Sequence, residues 1–215
     1  MGAETPGGIE AMRWMEEVLR LRNATAKDPG LREMFASLKR APIRIVCCDL
    51  DKGINHGNIL RIADCFRLQE VCFSPVSRRK EKDFSGGFAA LKWQPYRWVP
   101  PLQVVQEAKK AGELVYGLSV SDNTRALRSV AWQHPCVIVL GQELTGIDAD
   151  VLELCDELVA IPMYGMIDSL NVAVSCALAV ESCHSAYVAA HPDFEPAREI
   201  SRLLLSSQEK QQEDG

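Results

Sequence analysis

The sequence predicts an α/β domain with a largely parallel β-sheet flanked by helices. From residue 43 onward, short apolar runs alternate with segments of helical periodicity, which is the pattern of repeated βαβ units. The 215 residues are 47% hydrophobic and 25% charged, an ordinary globular composition that suffices for one well-buried domain with terminal appendages. The sequence contains no internal repeats, so no repeat architecture competes with this prediction.

Six apolar runs are predicted strands, and the segments after them have the 3.6-residue spacing of helices. The strands are predicted at Ile43–Cys48, Glu70–Phe73, Arg97–Val99, Leu114–Val120, Cys136–Leu140 and Glu157–Ile161. The helices are predicted at Asn58–Phe66, Leu102–Ala111, Asp148–Cys155 and Ser169–Val188. Because parallel sheets bind ligands at the carboxyl ends of their strands, a site is expected in the loops that follow them.

The core domain is expected to span residues 42–190, with a helical extension over residues 1–41 and a helical or disordered tail over residues 191–215. In the extension, Ile9–Leu21 has an apolar stripe typical of an amphipathic helix. A break at Asn23–Gly30 precedes a second short helix at Leu31–Lys39, and Pro42 ends the extension.

Charge and cysteine content narrow the function classes. The net charge of -5 does not favour a general nucleic-acid binder, although a local basic cluster can still bind phosphates. Eight cysteines lie mostly in apolar runs without a C-x-x-C pair, so no metal site is expected. Free thiols and the lack of a signal peptide predict a cytoplasmic protein. The apolar run Ile167–Val180 is too short to span a membrane, which needs about 20 residues.

Two polar motifs follow predicted strands in the first part of the core. In Asn55-His56-Gly57-Asn58-Ile59-Leu60-Arg61, either Asn55 or Gly57 can cap the helix that carries Arg61. A capped helix with a surface arginine explains the same residues. After the strand Val137–Leu140, Gly141 lets a ligand approach the backbone, and Glu143 can orient a donor or a cation. An ordinary strand-turn-helix junction is the alternative, and both the phosphate loop and the dinucleotide fingerprint are missing.

The third motif runs from Ile161 through a glycine turn to Ser169-Leu170-Asn171. Ser169 can cap the last helix. Asn171 then lies in the first turn of an apolar helix and needs a partner, because an unpaired buried amide is costly. A cap followed by a satisfied core asparagine is the non-functional alternative.

Together the three motifs resemble those of the SpoU (TrmH-like) RNA 2′-O-ribose methyltransferases of the SPOUT superfamily, over roughly Pro42 to Tyr187. The resemblance implies a deep C-terminal trefoil knot that binds S-adenosylmethionine, a homodimer, and methylation of structured RNA without a metal ion. A knotted dimer that binds RNA without turnover is the alternative. Gln142 and Leu144 replace the family's common Asn and Gly, which leaves the conformation of that loop open.

The resemblance also implies residue roles. Arg61 is expected to stabilise the developing alkoxide, because a guanidinium has a pKa above about 12 and is a poor base. The remaining catalytic residues orient Arg61, the ribose and the loops; they are Asn55, Glu143, Ser169 and Asn171. The cofactor-binding residues are Leu118, Ser119, Leu140, Gly141, Ile161, Met163 and Leu170.

The RNA is expected to bind a basic cluster formed by Arg78, Arg79, Lys80 and Lys82, aided by Lys92 and Arg97. Stacking is expected from Trp93, Tyr96 or Trp98. A solvated surface charge run is the alternative. The segment Ser85-Gly86-Gly87 resembles a family loop near the RNA side, or it is an ordinary glycine turn. The N-terminal helices resemble those of tRNA-type members, which favours tRNA over rRNA. The homodimer interface is expected to include the helix after Ser169 and residues near Arg61.

Overall fold

A computed structural model of the chain describes residues 16, 19–24, 29–79, 81–121, 123–194, 199, 202–203, 205–206 and 209. The chain divides into two compact units: Arg40–Ala190, and the flanks Met1–Lys39 with His191–Gly215. In the flanking unit, residues 19–24 are helical and helix α1 spans Pro29–Ser37. Most of the predicted helix Ile9–Leu21 and most of the tail beyond Phe194 lie outside the described residues.

The core unit contains a seven-stranded sheet whose neighbouring strands all run parallel. The strands are β1 (Ala41–Cys47), β2 (Leu68–Phe73), β3 (Tyr96–Trp98), β4 (Leu114–Leu118), β5 (Arg125–Ala126), β6 (Cys136–Leu140) and β7 (Glu157–Ala160). Their order across the sheet is β3-β2-β1-β6-β4-β7-β5. The predicted parallel α/β architecture is therefore confirmed.

Helices cover both faces of this sheet. They are α2 (Gly53–Cys65), α3 (Pro101–Ala111), α4 (Ala149–Leu152) and α5 (Val172–Ala190). Val46 and Val139 join the buried cluster with α3, whereas the alternate residues of β1 and β6 point to the opposite face, where α2 and α5 pack together. Since helices cover both of their faces, β1 and β6 are apolar along almost their whole length.

Helix α5 has 19 residues with a mean hydropathy of 1.3, so within the described chain it alone is long and apolar enough to cross a membrane. It is longer than the run Ile167–Val180 considered from the sequence, because the apolar pattern continues to Ala190. Its inner face, including Cys176, Ala179 and Val180, is buried and contacts β1 and β6. This packing is that of a core helix.

The predicted starts of two helices are wrong, and one strand is missing from the prediction. Helix α2 begins at Gly53 rather than Asn58, so Asn55 and Gly57 lie inside the helix and cannot cap it; the cap position, Lys52, makes no side-chain cap hydrogen bond. Helix α5 begins at Val172 rather than Ser169. The short edge strand β5 is absent from the prediction, because its two residues are exposed and carry no apolar run.

Candidate active site

Three loops meet at the carboxyl edge of the sheet. They follow β1, β6 and β7. The first leads directly into α2, which carries Asn55, and the other two carry Glu143 and Asn171. β1 pairs with β6 through Cys47 and Leu140, and β6 pairs with β4, which in turn pairs with β7. Because these strands are parallel neighbours, the loops that leave their ends adjoin one another.

Asn55 links all three loops through hydrogen bonds. Its side-chain Nδ2 donates to Glu143 Oε1 at 2.5 Å, and its Oδ1 accepts from Asn171 Nδ2 at 3.1 Å. Asn55 is only 2% exposed, so both ends of its buried amide are satisfied by these two partners. The second Glu143 oxygen lies 3.4 Å from the backbone nitrogen of Asp51. Three of the five predicted catalytic residues therefore form one chain of hydrogen bonds.

Asn171 is the cap of α5, which corrects the assignment of that role to Ser169. Asn171 Oδ1 accepts from the backbone nitrogens of Ala173 at 2.9 Å and Val174 at 3.4 Å. Asn171 has partners, as the sequence argument expected, in Asn55 and the first turn of the helix. The premise of that argument is wrong, however, because Asn171 is exposed at the cap position and is not a buried amide inside the helix. Ser169 is exposed and donates only to Asp168, at 3.4 Å, so it does not join the chain of hydrogen bonds.

Arg61 is exposed on α2 and makes no side-chain hydrogen bond or ion pair with the described residues. It follows Asn55 by six positions, which places the two side chains about 120° apart around a helix that turns about 100° per residue. Within one chain, the structure therefore does not bring Arg61 to the group formed by Asn55, Glu143 and Asn171.

The loop after β6 is closed by its own backbone. Gln142 and Gly146 exchange hydrogen bonds of 2.8 and 3.0 Å, and the Thr145 hydroxyl donates to the Gln142 side chain. A Cβ atom on Gly141 would overlap the backbone of Gly146, so this glycine is needed to close the turn. The sequence reasoning that Gly141 serves ligand approach missed this cause. The closed turn holds Glu143 toward Asn55.

His56 is a buried neighbour of Asn55 that sequence reasoning did not select. Its Nδ1 lies 3.1 Å from the Lys52 carbonyl oxygen, its Nε2 lies 3.3 Å from Ser77 Oγ, and its ring stacks on Phe84 at 5.4 Å. Burial lowers the pKa of this imidazole. A Cβ atom on Gly57 would lie 2.8 Å from the Phe84 carbonyl oxygen, so α2 and the segment after Phe84 touch through backbone. These contacts fix the turn of α2 that carries Asn55.

The predicted cofactor residues surround the ends of three neighbouring strands. Leu118 ends β4 and Ser119 follows it, and the Ser119 nitrogen donates to the Val159 carbonyl oxygen at 3.1 Å. Leu140 is buried at the end of β6, beside Gly141. The remaining predicted residues leave β7 and lead to α5, and they are partly or fully exposed: Ile161, Met163 and Leu170.

The predicted RNA-binding cluster is only partly available at the surface. Arg78, Arg79 and Lys82 are exposed, and Arg79 donates to the Asp51 carbonyl oxygen beside the candidate site. Lys80 lies outside the described residues.

The residues expected to aid this cluster include Arg97, Tyr96 and Trp98. Their predicted roles are corrected, because they contact other residues of the protein. Arg97 forms ion pairs with Glu70 at 3.0 Å and Glu107 at 3.1 Å. Tyr96 and Trp98 pack against Phe73, with ring centroids 6.4 and 5.4 Å apart. Both residues are half-buried, so their rings are only partly available to a base.

Comparison with known proteins gives a consistent assignment. The model of the SpoU rRNA Methylase family matches residues 42–181. A tRNA (guanosine(18)-2′-O)-methyltransferase of Escherichia coli K12 is 32% identical over 148 residues, which cover 68% of this chain and 64% of the relative. The chain thus spans less than two thirds of that relative. The enzyme of the same name from Aquifex aeolicus is 36% identical over 152 residues, covering 67% of this chain and 69% of the relative.

Solved structures share the fold. The TrmH/SpoU tRNA modifying enzyme of A. aeolicus superposes with a TM-score of 0.68 at 22% identity, covering 88% of this chain and 95% of that chain. The SpoU methyltransferase AviRb from Streptomyces viridochromogenes, in complex with the cofactor AdoMet, superposes with a TM-score of 0.63 at 20% identity. That match covers 72% of this chain and 64% of the other.

Proposed function

The chain belongs to the SpoU rRNA methylase family, as its motifs predict, and we propose that it transfers a methyl group from S-adenosylmethionine to a ribose 2′-hydroxyl of tRNA. The observation that carries the proposal is the chain of hydrogen bonds from Glu143 through Asn55 to Asn171, which joins the three motif loops at the ligand-binding edge of the sheet. The tRNA (guanosine(18)-2′-O)-methyltransferases that resemble the chain support tRNA and make guanosine 18 the first nucleotide to assay.

The strand ends suit S-adenosylmethionine. The strand ends Leu118–Ser119 and Leu140–Gly141 lie side by side, and the partly or fully exposed side chains of Ile161, Met163 and Leu170 provide apolar contacts for an adenosine. When bound, the cofactor supplies a methyl group on a positively charged sulfur. The transfer of this methyl group does not require a metal ion.

The chain's own residues position the ribose and stabilise its oxygen. Displacement at the methyl carbon requires a 2′-oxygen that is held close and relieved of its proton. A hydrogen bond joins Asn171 to Asn55, and Glu143 anchors Asn55, so their polar groups form a rigid wall of the site. Ser169, exposed on the same loop, is available to contact the ribose. Arg61 is the cation that stabilises the developing alkoxide.

Within one chain, Arg61 does not reach the hydrogen-bonded group of the candidate site. A homodimer explains how Arg61 can still act at such a site. We propose that Arg61 of one protomer completes the site of its partner. Apolar side chains are exposed beside the candidate site, among them Tyr164 at 91%, Met166 at 101% and Ile167 at 74%. Val174 and Leu178 are exposed one turn apart on α5, which packs against the helix that carries Arg61. A two-fold partner buries such a surface.

The knot and the cytoplasmic location are also part of the proposal, and they rest on the resemblance to the family. The chain between β7 and α5 is proposed to pass through the deep trefoil knot expected for these enzymes, and the protein is proposed to work in the cytoplasm. The domain division at residues 42 and 190 is kept as part of this proposal.

The proposal is tested by incubating the protein with methyl-labelled S-adenosylmethionine and an unmodified tRNA transcript. Label should enter the tRNA with wild-type protein, and light scattering should give about twice the chain mass of 23.8 kDa. A chain that binds tRNA and cofactor but transfers no methyl group to any transcript is a non-catalytic binding module, and that result would overturn the proposed activity. A fully active monomer would overturn the shared site.

A further inference from the structure

Three metal-ligating side chains meet at the end of the sheet opposite the candidate active site. Cys136 begins β6, His134 precedes it, and Cys183 lies in the second half of α5. Cys136 Sγ is 3.6 Å from Cys183 Sγ, and Cys183 Sγ is 3.3 Å from His134 Nε2. All three donor atoms lie within 4.8 Å of one another. Sequence spacing gave no sign of this group, because Cys136 and Cys183 are 47 positions apart.

The spacing of these atoms suits a tetrahedral zinc ion. With Zn–S bonds of about 2.3 Å and Zn–N bonds of about 2.0–2.1 Å, tetrahedral geometry places two sulfurs roughly 3.8 Å apart and a sulfur and a nitrogen roughly 3.6 Å apart. The two hydrogen-bond distances are each within about 0.3 Å of these values. The third pair, His134 and Cys136, lies within 4.8 Å and would have to approach by up to about 1.2 Å when zinc binds. We propose that His134, Cys136 and Cys183 bind a zinc ion, with water or a small anion as the fourth ligand.

The neighbouring side chains already hold the ligands in place. Trp132 Nε1 donates to Ser182 Oγ at 3.0 Å, and the Trp132 ring lies 4.6 Å from the Tyr116 ring. The His134 ring meets Tyr187 edge-on at 5.1 Å. These contacts fasten the segment before β6 to α5, so binding zinc requires little ordering of the chain.

The protonation chemistry balances. Zinc binding releases the two thiol protons, and two thiolates neutralise the dication, which suits a site where both cysteines are fully buried. Because binding releases these protons, zinc affinity should rise with pH. His134 Nε2 now lies 3.2 Å from the Cys183 carbonyl oxygen. To bind zinc through Nε2, the ring must carry its proton on Nδ1.

The ion would tie α5 to the amino end of β6, at the far end of the helix from Asn171. Its expected effect is therefore on stability rather than on methyl transfer. Because His134 is only partly buried, the ion and its fourth ligand can reach the group from the His134 side.

Zinc titration of the reduced, metal-free full chain against a coloured chelator tests the proposal. Wild type should bind about one zinc ion per chain, and cobalt should give a tetrahedral thiolate spectrum in its place. Cys136→Ser and Cys183→Ser should abolish binding, and His134→Ala should weaken it by more than the roughly tenfold loss typical of removing a hydrogen-bond partner of a ligand. Cys176→Ser, a buried cysteine on the same helix outside the group, is the matched control and should bind like wild type.

His134→Ala decides the question if the buried cysteine variants fail to fold. The proposal is overturned if wild type binds no zinc, or if His134→Ala binds zinc as tightly as Cys176→Ser.

Discussion

Replacing Asn55 with alanine should destabilise the protein measurably. The substitution removes the donor to Glu143 and the acceptor for Asn171. A hydrogen bond to a charged group contributes about 1.5–3 kcal/mol and a neutral one about 0.5–1.5 kcal/mol. Glu143 is exposed and screened by water, so the lower part of that range applies, and the expected loss is roughly 2–3 kcal/mol.

Thermal and urea unfolding at fixed protein concentration measure this loss. For a chain of this size, each kcal/mol lowers the melting temperature by about 2–4 °C, so a fall of roughly 4–12 °C is expected. Ser169→Ala is the matched control, because Ser169 is exposed and its one side-chain hydrogen bond with the described residues goes to the neighbouring Asp168. Its effect should stay within about 0.5 kcal/mol.

A double-mutant cycle separates the bond from general damage to the helix. Asn55→Ala and Glu143→Ala should couple by about 1 kcal/mol, above the roughly 0.3–0.5 kcal/mol scatter of independent sites. Additive effects of the two substitutions would refute the inference that Glu143 holds Asn55.

Three further outcomes are expected. Arg61→Ala should lower methyl transfer by about 100-fold or more while leaving cofactor affinity unchanged by calorimetry, and Arg61→Lys should not restore it, because an ammonium lacks the planar fork; wild-type turnover by Arg61→Ala would exclude the assigned role. Arg78→Ala should weaken tRNA binding and reduce its salt dependence by about one counterion. Arg97→Ala is the control and should leave the salt dependence unchanged, because the Arg97 guanidinium is already ion-paired. Equal salt dependence in the two variants would exclude Arg78 from the interface. The lowered pKa of buried His56 means that the unfolded chain binds a proton which the folded chain does not, so stability should fall as pH drops below about 6.5. His56→Phe should flatten that part of the stability curve, and an unchanged slope would show that His56 does not cause it.

The sheet was predictable from the sequence because burial on both faces leaves a plain signal. Cys136–Leu140 is predicted and observed with the same bounds, since every side chain in it is buried. The start of α2 was not predictable, because Lys52 provides no side-chain cap and Gly53 resembles a turn residue.

The sequence indicated candidate residues for the site, but not the hydrogen bonds that join them. The apolar pattern after Asn171 led to the expectation of a buried amide with a partner, but Asn171 is exposed. Its partner Asn55 is 116 positions away, beyond any local pattern. His56 left no signal of its own, because the aromatic residues around it come from separate segments that only the fold brings together.

The position of the transferred methyl group tests the central claim most directly. After reaction with methyl-labelled S-adenosylmethionine, the tRNA is digested to nucleosides and the label is located by mass spectrometry. The proposed function predicts a nucleoside whose ribose, and not its base, carries the methyl group. Label on a base, or a transcript that stays unmethylated with cofactor bound to the protein, would contradict it.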